Sequence, residues 1–488
     1  MGDNLKQKTL DALTWTTVDR FGQQAVQFII GLIFARLLTP FDYGLIGMIT
    51  IFAALSYVLV ESGFGQALIR KQNTTETDYN TIFYFNILTS LSLYLLLFFS
   101  APFIASYFNQ PQLTLIGRVI FIAILFNAFY LVPFTKLVKV MDFKSVAKVN
   151  ILSVILSGTL GIILALLHYG VWALVTQQVS FHLFRMIFYY FFNKWSPKLL
   201  FSFQVIREFW SFSIHLLGTS LLNVIFNNLY MLLLSKFYPI KQVGFYSQGK
   251  KLSETFNSGF QTILVGSTYS LFTQIQNDDK RFLRIFREIA QKTSIITFPI
   301  MLVLIAIANP FIYVLLTSKW MMSVPYFQLL CLAALFEPLY GLTINALNSR
   351  GQSKITFRVE IIKKCLILLS VVLCFNFGVI AMLWGYAMAC FIAYLISILY
   401  LKKDLKHYIR HQLADFLGCV SIGLVIAACA YGLSFLIYNN YLLLATQIIL
   451  SGILYILSIR LFYTELYNKS FQLIVTKITV LKNWKENR

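Results

Sequence analysis

Four long stretches without a charged residue constrain this chain more than any other feature. The stretch between Asp78 and Arg118 holds 39 uncharged residues, and those that follow Lys148, Lys364 and Asp415 hold 36, 37 and 44. One membrane-spanning helix needs about 20 residues, so each stretch is long enough for two helices and a turn. The pattern therefore predicts a membrane protein built of helical hairpins.

The remaining apolar segments carry more charge and form three further pairs, at 12–37 with 43–68, 206–236 with 243–272, and 288–316 with 323–347. Together with the uncharged stretches they make seven hairpins, which predicts an all-α polytopic protein of about fourteen transmembrane helices. Only 12% of the residues are charged, whereas soluble proteins carry about 25%. Such a surface is suited to lipid rather than water.

The distribution of basic residues predicts the orientation. Of the 40 Lys and Arg residues, 30 fall on the face of the predicted topology that carries both termini, and the opposite turns hold only Arg36, Lys236, Lys241 and Lys319. By the positive-inside rule, both termini are expected on the cytoplasmic side of the membrane, and no cleaved signal peptide is predicted. The net charge of +21 is clustered between apolar runs, which argues against a nucleic-acid partner.

A weak internal repeat predicts the domain organisation. Pro40 and Gly44 follow the first span, and Pro239 and Gly244 follow the seventh at offsets of 199 and 200 residues. Six spans separate the copies, so the repeats run parallel about an axis along the membrane normal. We expect two six-helix lobes around a central cavity, followed by two extra helices and a basic cytoplasmic tail, with boundaries at 1–200, 201–404, 405–465 and 466–488.

Charged residues within the spans are the candidate site residues, because a charge in the bilayer is costly and usually faces protein or water. They are concentrated in the first and fourth hairpins, which the repeat relates to each other. Arg20 could bind a phosphate through paired hydrogen bonds, or it could pair with a neighbour or reach the membrane surface. Lys250, Lys251, Glu254 and His215 are the other candidate substrate contacts, although lysines at this depth also reach lipid headgroups.

Two carboxylates inside the spans are candidates for ion coupling. Glu61 lies deep in the second span and could bind a proton or cation, or form a structural ion pair. Glu337 precedes Pro338 and could do the same, or cap backbone groups that the proline frees. Arg185 is interpreted as a positive-inside charge near the cytoplasm, and His182 as a hydrogen-bonded helix residue.

The sequence contains no motif for a metal site, a disulfide or a nucleotide-binding site. The six cysteines form no CxxC pair and have no histidine at ligand spacing, so neither a metal site nor a disulfide is predicted. There is no phosphate-binding GxxxxGK[ST] loop and no soluble segment large enough for a nucleotide. We therefore expect no enzyme, no catalytic residue and no cofactor beyond a coupling ion, H⁺ or Na⁺.

Several motifs resemble those of the Wzx-type polysaccharide flippases, which belong to the multidrug/oligosaccharidyl-lipid/polysaccharide exporter superfamily. They lie at 35–40 with 42–44, and at 62–68, 80–86, 170–175, 244–247 and 319–320. The resemblance implies two six-helix lobes around a cavity, in agreement with the hairpins. It also implies that Arg20 meets a pyrophosphate, as a first-helix arginine does in related flippases of lipid-linked precursors.

The resemblance further implies a substrate and a direction of transport. The substrate would be an oligosaccharide repeat unit on undecaprenyl pyrophosphate, passed from the cytoplasmic to the periplasmic leaflet by alternating access during cell-surface polysaccharide biosynthesis. Partners would be the bilayer, the lipid-linked oligosaccharide, and the polymerase and glycosyltransferases of the same pathway. Two alternatives stay open: an ion-coupled drug antiporter of the same fold, and a membrane-embedded polymerase or glycosyltransferase.

Overall fold

The computed structural model describes residues 2–61, 63–261, 268–405 and 409–463, and these residues form helices joined by short turns, with no strand among them. In a bilayer each backbone N–H and C=O must be satisfied by the protein itself, and a helix achieves this within one segment. The predicted all-α fold is confirmed.

The helices run in chain order as follows: α1 (Gly2–Leu37), α2 (Pro40–Glu61), α3 (Phe64–Arg70), α4 (Glu76–Tyr107), α5 (Leu113–Ile120), α6 (Ile122–Lys139), α7 (Phe143–Leu166), α8 (Val171–Asn193), α9 (Phe203–Phe237), α10 (Ile240–Phe260), α11 (Thr268–Gln274), α12 (Asp279–Ala306), α13 (Ala308–Leu316), α14 (Val324–Ala334), α15 (Glu337–Ser349), α16 (Ser353–Cys374), α17 (Val379–Leu405), α18 (Ile409–Gly432) and α19 (Asn440–Phe462).

Within the described residues, 10 segments are long and apolar enough to cross a membrane. Four other helices do not meet this criterion. They are α1, α8, α10 and α16, and they fall where the sequence predicts the first, sixth, eighth and eleventh spans. The total of fourteen spans stays a prediction, because length and composition alone do not place these four helices in a bilayer.

Side-chain caps mark where several helices begin. Thr75 and Asp78 form a capping box at the start of α4, in which the Thr75 hydroxyl accepts from the Asp78 N–H and the Asp78 carboxylate accepts from the Thr75 N–H. Asp142, Asp278 and Asn439 cap α7, α12 and α19 in the same sense. These caps satisfy backbone donors that have no partner inside the helix.

The chain divides into two compact units, residues 1–248 and 249–488. In the first unit, α1 packs on α7, α7 and α6 pack on α8, and α9 packs on α2. Small residues permit the close approach of α1 and α7: a β-carbon on Gly158 would lie 2.1 Å from Cδ1 of Ile30, and one on Gly161 would lie 2.6 Å from Cζ of Phe34.

The two repeat motifs meet in this first unit. A β-carbon on Gly44, in the first turns of α2, would lie 2.3 Å from the carbonyl oxygen of Ile240, the first residue of α10. The helices therefore cross with their backbones almost in contact, and the crossing depends on a residue that has no side chain.

In the second unit, α12 packs on α18, α14 and α15, while α16 packs on α17. A cluster of aromatic rings holds these helices together, with ring centroids 4.7 Å apart for Phe298 and Phe416 and 4.9 Å apart for Phe336 and Phe391. The predicted tail at 466–488 lies outside the described residues, and the predicted lobe boundaries at 200 and 404 stay predictions.

Candidate functional site

A partly buried arginine on α8, Arg185, lies at the centre of a polar region inside the first unit. The Arg185 guanidinium donates to the Tyr130 hydroxyl at 2.9 Å. Its central carbon lies 4.6 Å from the ring centroid of Tyr130, 5.4 Å from that of Phe181 and 5.6 Å from that of Tyr189. Such cation–π contacts stabilise a guanidinium that has been withdrawn from water.

This guanidinium is incompletely satisfied. Among the described residues no carboxylate lies within ion-pair distance of Arg185, and its buried Nε has no hydrogen-bond partner. The charges of Asp19 and Glu61 act on it from farther away. A charged group in an apolar interior is costly unless it is paired, and the surrounding rings and the Tyr130 hydroxyl offset part of this cost.

An aromatic and imidazole layer packs beside the guanidinium. His182 Nδ1 and the Tyr130 hydroxyl are 3.1 Å apart, and the His182 ring stacks on Tyr57 with a centroid distance of 4.9 Å. One face of α8 carries His182, Arg185 and Tyr189, because each follows the one before it by about one helical turn. This face brings α8 together with α2 and α6.

A second polar chain joins the same region to α1 and α7. The Tyr189 hydroxyl donates to Oδ1 of Asn150 at 3.2 Å, and the Asn150 amide donates to both carboxylate oxygens of Asp19 at 3.2 and 3.1 Å. Gln23 donates to Asp19 at 2.7 Å. The Asp19 carboxylate therefore accepts hydrogen bonds from two side-chain amides, those of Asn150 and Gln23.

A cleft of about 180 Å³ opens beside Glu61, where the second span is interrupted between α2 and α3. Gly63 stands in this interruption with φ 74°, a conformation that favours glycine. The cleft is lined by Val58, Glu61, Gly63, Gly65, Gln66, Ile69, Leu131, Phe134, Thr135, Leu216, Leu217 and Ser220. All of these residues belong to the first unit.

The second unit brings together three of the predicted residues. Lys250 and Glu254 form an ion pair one turn apart on α10, at 3.6 Å. Asn257, one turn further, donates to the carboxylate of Glu337 on α15, and the Glu254 and Glu337 charges interact. Two carboxylates, an amide and an ammonium group therefore form one cluster.

The other predicted residues lie at exposed positions. Arg20 is exposed on α1, and as the neighbour of Asp19 it points about 100° away around the helix. Lys251 is exposed on α10, and His215 is exposed on α9 with Nδ1 donating to the Ser211 carbonyl at 2.6 Å. Their roles as substrate contacts stay predictions.

The sequence interpretation of Arg185 as a positive-inside charge near the cytoplasm stays a prediction, but it did not anticipate that rings from α6 and α8 pack around the guanidinium. A signal was present in the sequence: His182, Arg185 and Tyr189 share a helical face in an otherwise apolar span. In the described part of the chain, no group of three or more His, Cys, Asp or Glu residues could hold a metal ion.

Comparison with known proteins agrees with this architecture. The polysaccharide biosynthesis protein family matches residues 33–325, more than half of the sequence, and the chain belongs to this family. The teichuronic acid biosynthesis protein TuaB of Bacillus subtilis is 22% identical over 439 residues, covering 88% of this chain and 90% of TuaB.

Two further matches bear on the predicted resemblance. The lipopolysaccharide biosynthesis protein WzxC of Escherichia coli is 22% identical over 387 residues, covering 76% of each chain. The solved structure of the lipid II flippase MurJ in an inward closed conformation superposes with a TM-score of 0.73 at 17% identity, covering 93% of this chain and 99% of MurJ. The resemblance to Wzx-type proteins is confirmed, and the fold is that of MurJ.

Proposed function

We propose that this protein is a flippase that moves an oligosaccharide repeat unit on undecaprenyl pyrophosphate from the cytoplasmic to the periplasmic leaflet of the bacterial inner membrane. It would act in cell-surface polysaccharide biosynthesis, as a transporter and not as an enzyme. Family membership supports the pathway, and the names of TuaB and WzxC place these relatives in polysaccharide biosynthesis.

The observation that carries the proposal is the guanidinium of Arg185, which lies among three aromatic rings and has an Nε without a hydrogen-bond partner. A pyrophosphate must leave water to cross the bilayer, and a preorganised arginine replaces lost hydration with charge-assisted hydrogen bonds. Arg20, Lys250, Lys251, Glu254 and His215 remain proposed contacts elsewhere along the path. The lipid tail stays in the bilayer during alternating access.

Coupling to H⁺ or Na⁺ is proposed at Glu61 or Glu337. Glu337 has the stronger support, since Asn257 and Glu254 lie beside it and the three groups could share a proton or a monovalent cation. Such an ion drives transport only if it binds one conformation more tightly than the other. Glu337→Gln should therefore remove the dependence of transport on the ion gradient.

Deletion of the gene tests the proposal. The lipid-linked repeat unit should accumulate in the cytoplasmic leaflet, where periodate, which does not cross membranes, oxidises it in everted vesicles but not in intact spheroplasts. A polymerase defect would instead leave the repeat unit accessible in spheroplasts. Normal surface glycan after deletion, together with new drug sensitivity, would favour the antiporter alternative and overturn the proposal.

A further inference from the structure

The cleft beside Glu61 is a cavity of the first unit to which the proposed function assigns no part of the transported glycan. Its walls come from α2, α3, α6 and α9. The side chains of Glu61, Gln66 and Ser220 are exposed, so the cleft is open to an incoming molecule. Glu61 stands nine residues before the end of the 31-residue span 40–70.

The lining of the cleft has two chemical characters. Glu61, Gln66, Thr135 and Ser220 supply hydrogen-bonding groups from three directions. The Thr135 hydroxyl donates a hydrogen bond to the Leu131 carbonyl oxygen at 2.8 Å. Its own oxygen can therefore only accept a hydrogen bond from a molecule in the cleft. The remaining wall is apolar and consists of Val58, Ile69, Leu131, Phe134, Leu216 and Leu217.

The volume and lining of the cleft indicate which kind of molecule it can hold. A volume of about 180 Å³ is the share of about six water molecules in the liquid. A desolvated cation needs several oxygens converging at about 2.0–2.6 Å, and this cleft offers a single carboxylate with much space around it. A six-membered sugar ring carries hydroxyl groups on its rim and C–H groups on its faces, which match the polar and apolar walls.

We propose that this cleft binds one sugar ring of the transported glycan, with the Glu61 carboxylate accepting hydrogen bonds from its hydroxyl groups. The inference rests on the proposed function and assigns the sugar, rather than the phosphate, to this part of the first unit. Gln66 and Ser220 complete the rim, and Phe134 and Leu217 contact the ring faces.

Cysteine protection tests the cleft directly. The full chain, with its six native cysteines replaced by serine or alanine, carries Ser220→Cys and is reconstituted in lipid nanodiscs. The rate of maleimide labelling is measured with octyl β-glucoside, octyl β-galactoside or octyl β-glucuronide below their micellar concentrations, and with 1-octanol as the sugar-free probe. Thr219→Cys is the matched control, since Thr219 is exposed on the same helix but outside the cleft.

We expect at least one glycoside to slow labelling of the Ser220→Cys protein threefold or more, with no effect on Thr219→Cys and no effect of octanol. Adding Glu61→Gln should abolish the protection. Protection of Ser220→Cys but not of Thr219→Cys by Na⁺ or by acid, without any glycoside, would identify an ion site and overturn the proposal. Equal protection by octanol, or none by any glycoside, would also overturn it. Glycoside protection alongside normal surface glycan in a deletion strain would refute the flippase function but not the sugar cleft.

Discussion

Gly244 on α10 lies so close to Pro40 at the start of α2 that a β-carbon on the glycine would be 1.8 Å from the proline carbonyl oxygen. Gly44 makes the reciprocal contact with Ile240. The two halves of the sequence repeat thus pack against each other through matching glycines. Neither contact can be relieved by turning a flexible side chain, because the opposing atom belongs to the backbone.

Gly244→Ala should therefore force α2 and α10 apart and destabilise the protein by about 1–3 kcal/mol, the usual cost of overpacking. The apparent unfolding temperature in detergent measures the loss. Gly259→Ala on the same helix is the control, since no atom lies within 4 Å of its β-carbon position. Equal stability of the two variants would show that the crossing is looser than described.

Replacement of Arg185 tests the aromatic pocket. Arg185→Gln should reduce surface glycan export about tenfold, which corresponds to about 1.4 kcal/mol, because the charge and the planar donor fork are both lost. Arg185→Lys keeps the charge but not the planar donor fork, so its glycan export should lie between that of Arg185→Gln and that of wild type. Export is measured as surface glycan per unit of membrane-inserted protein.

Arg118→Gln is the matched control for this substitution. Arg118 also sits over an aromatic ring, at 4.3 Å from the Phe98 centroid, and also lies in the first unit. It contacts none of the polar groups around Arg185, so its loss should change export less than twofold. If both variants lower export equally, the effect of Arg185 is a general packing effect.

The loop after α3 is tied to α4 and α9 through Lys71. Its ammonium group lies 3.2 Å from Asp78 and 3.0 Å from Glu208. The Asp78 side chain is 2% exposed and that of Glu208 is 51% exposed. We expect Asp78→Asn to cost about 1–3 kcal/mol and Glu208→Gln less than about 1 kcal/mol, because solvent screens an exposed pair. Thermal unfolding of both variants gives the comparison, and equal losses would contradict it.

The same lysine predicts a pH dependence. Partial burial acts to lower the pKa of Lys71, but hydrogen bonds to Glu208 and Asp78 outweigh it and raise the pKa above its ordinary value of 10.5. The stabilisation is therefore fully present below pH 10.5 and is lost as the pH rises through the raised pKa. The difference in unfolding temperature between wild type and Lys71→Met should be constant from about pH 6 to 9 and shrink above about pH 10.5. A difference that already shrinks below pH 9 would refute this account.

Orientation in the membrane is the remaining prediction from charge alone. Green fluorescent protein, which folds in the cytoplasm, should fluoresce when fused after Arg488, and alkaline phosphatase should be inactive there. A fusion truncated after His168, between α7 and α8, should show the opposite behaviour because the predicted turn faces the periplasm. The reverse result at both sites would invert the topology.

Membrane spans, their hairpin pairing and the expected orientation follow from the sequence, because a charge in hydrocarbon is so costly that charged residues mark the ends of helices. The repeat motifs at Gly44 and Gly244 were also visible in the sequence, but their contact was not. Glu61 was recognised as a site candidate, yet its cleft depends on how α6 and α9 pack around the interruption at Gly63.

Arg118 and Arg185 show what only the tertiary structure decided. Each is a lone arginine in an apolar span, and the sequence pattern alone does not distinguish their surroundings. The fold brings Tyr130, 55 residues away in the chain, onto Arg185, while Arg118 contacts Phe98. Burial of a charge is set by the neighbouring helices that exclude water and supply donors and rings, and a single helix carries no information about these neighbours.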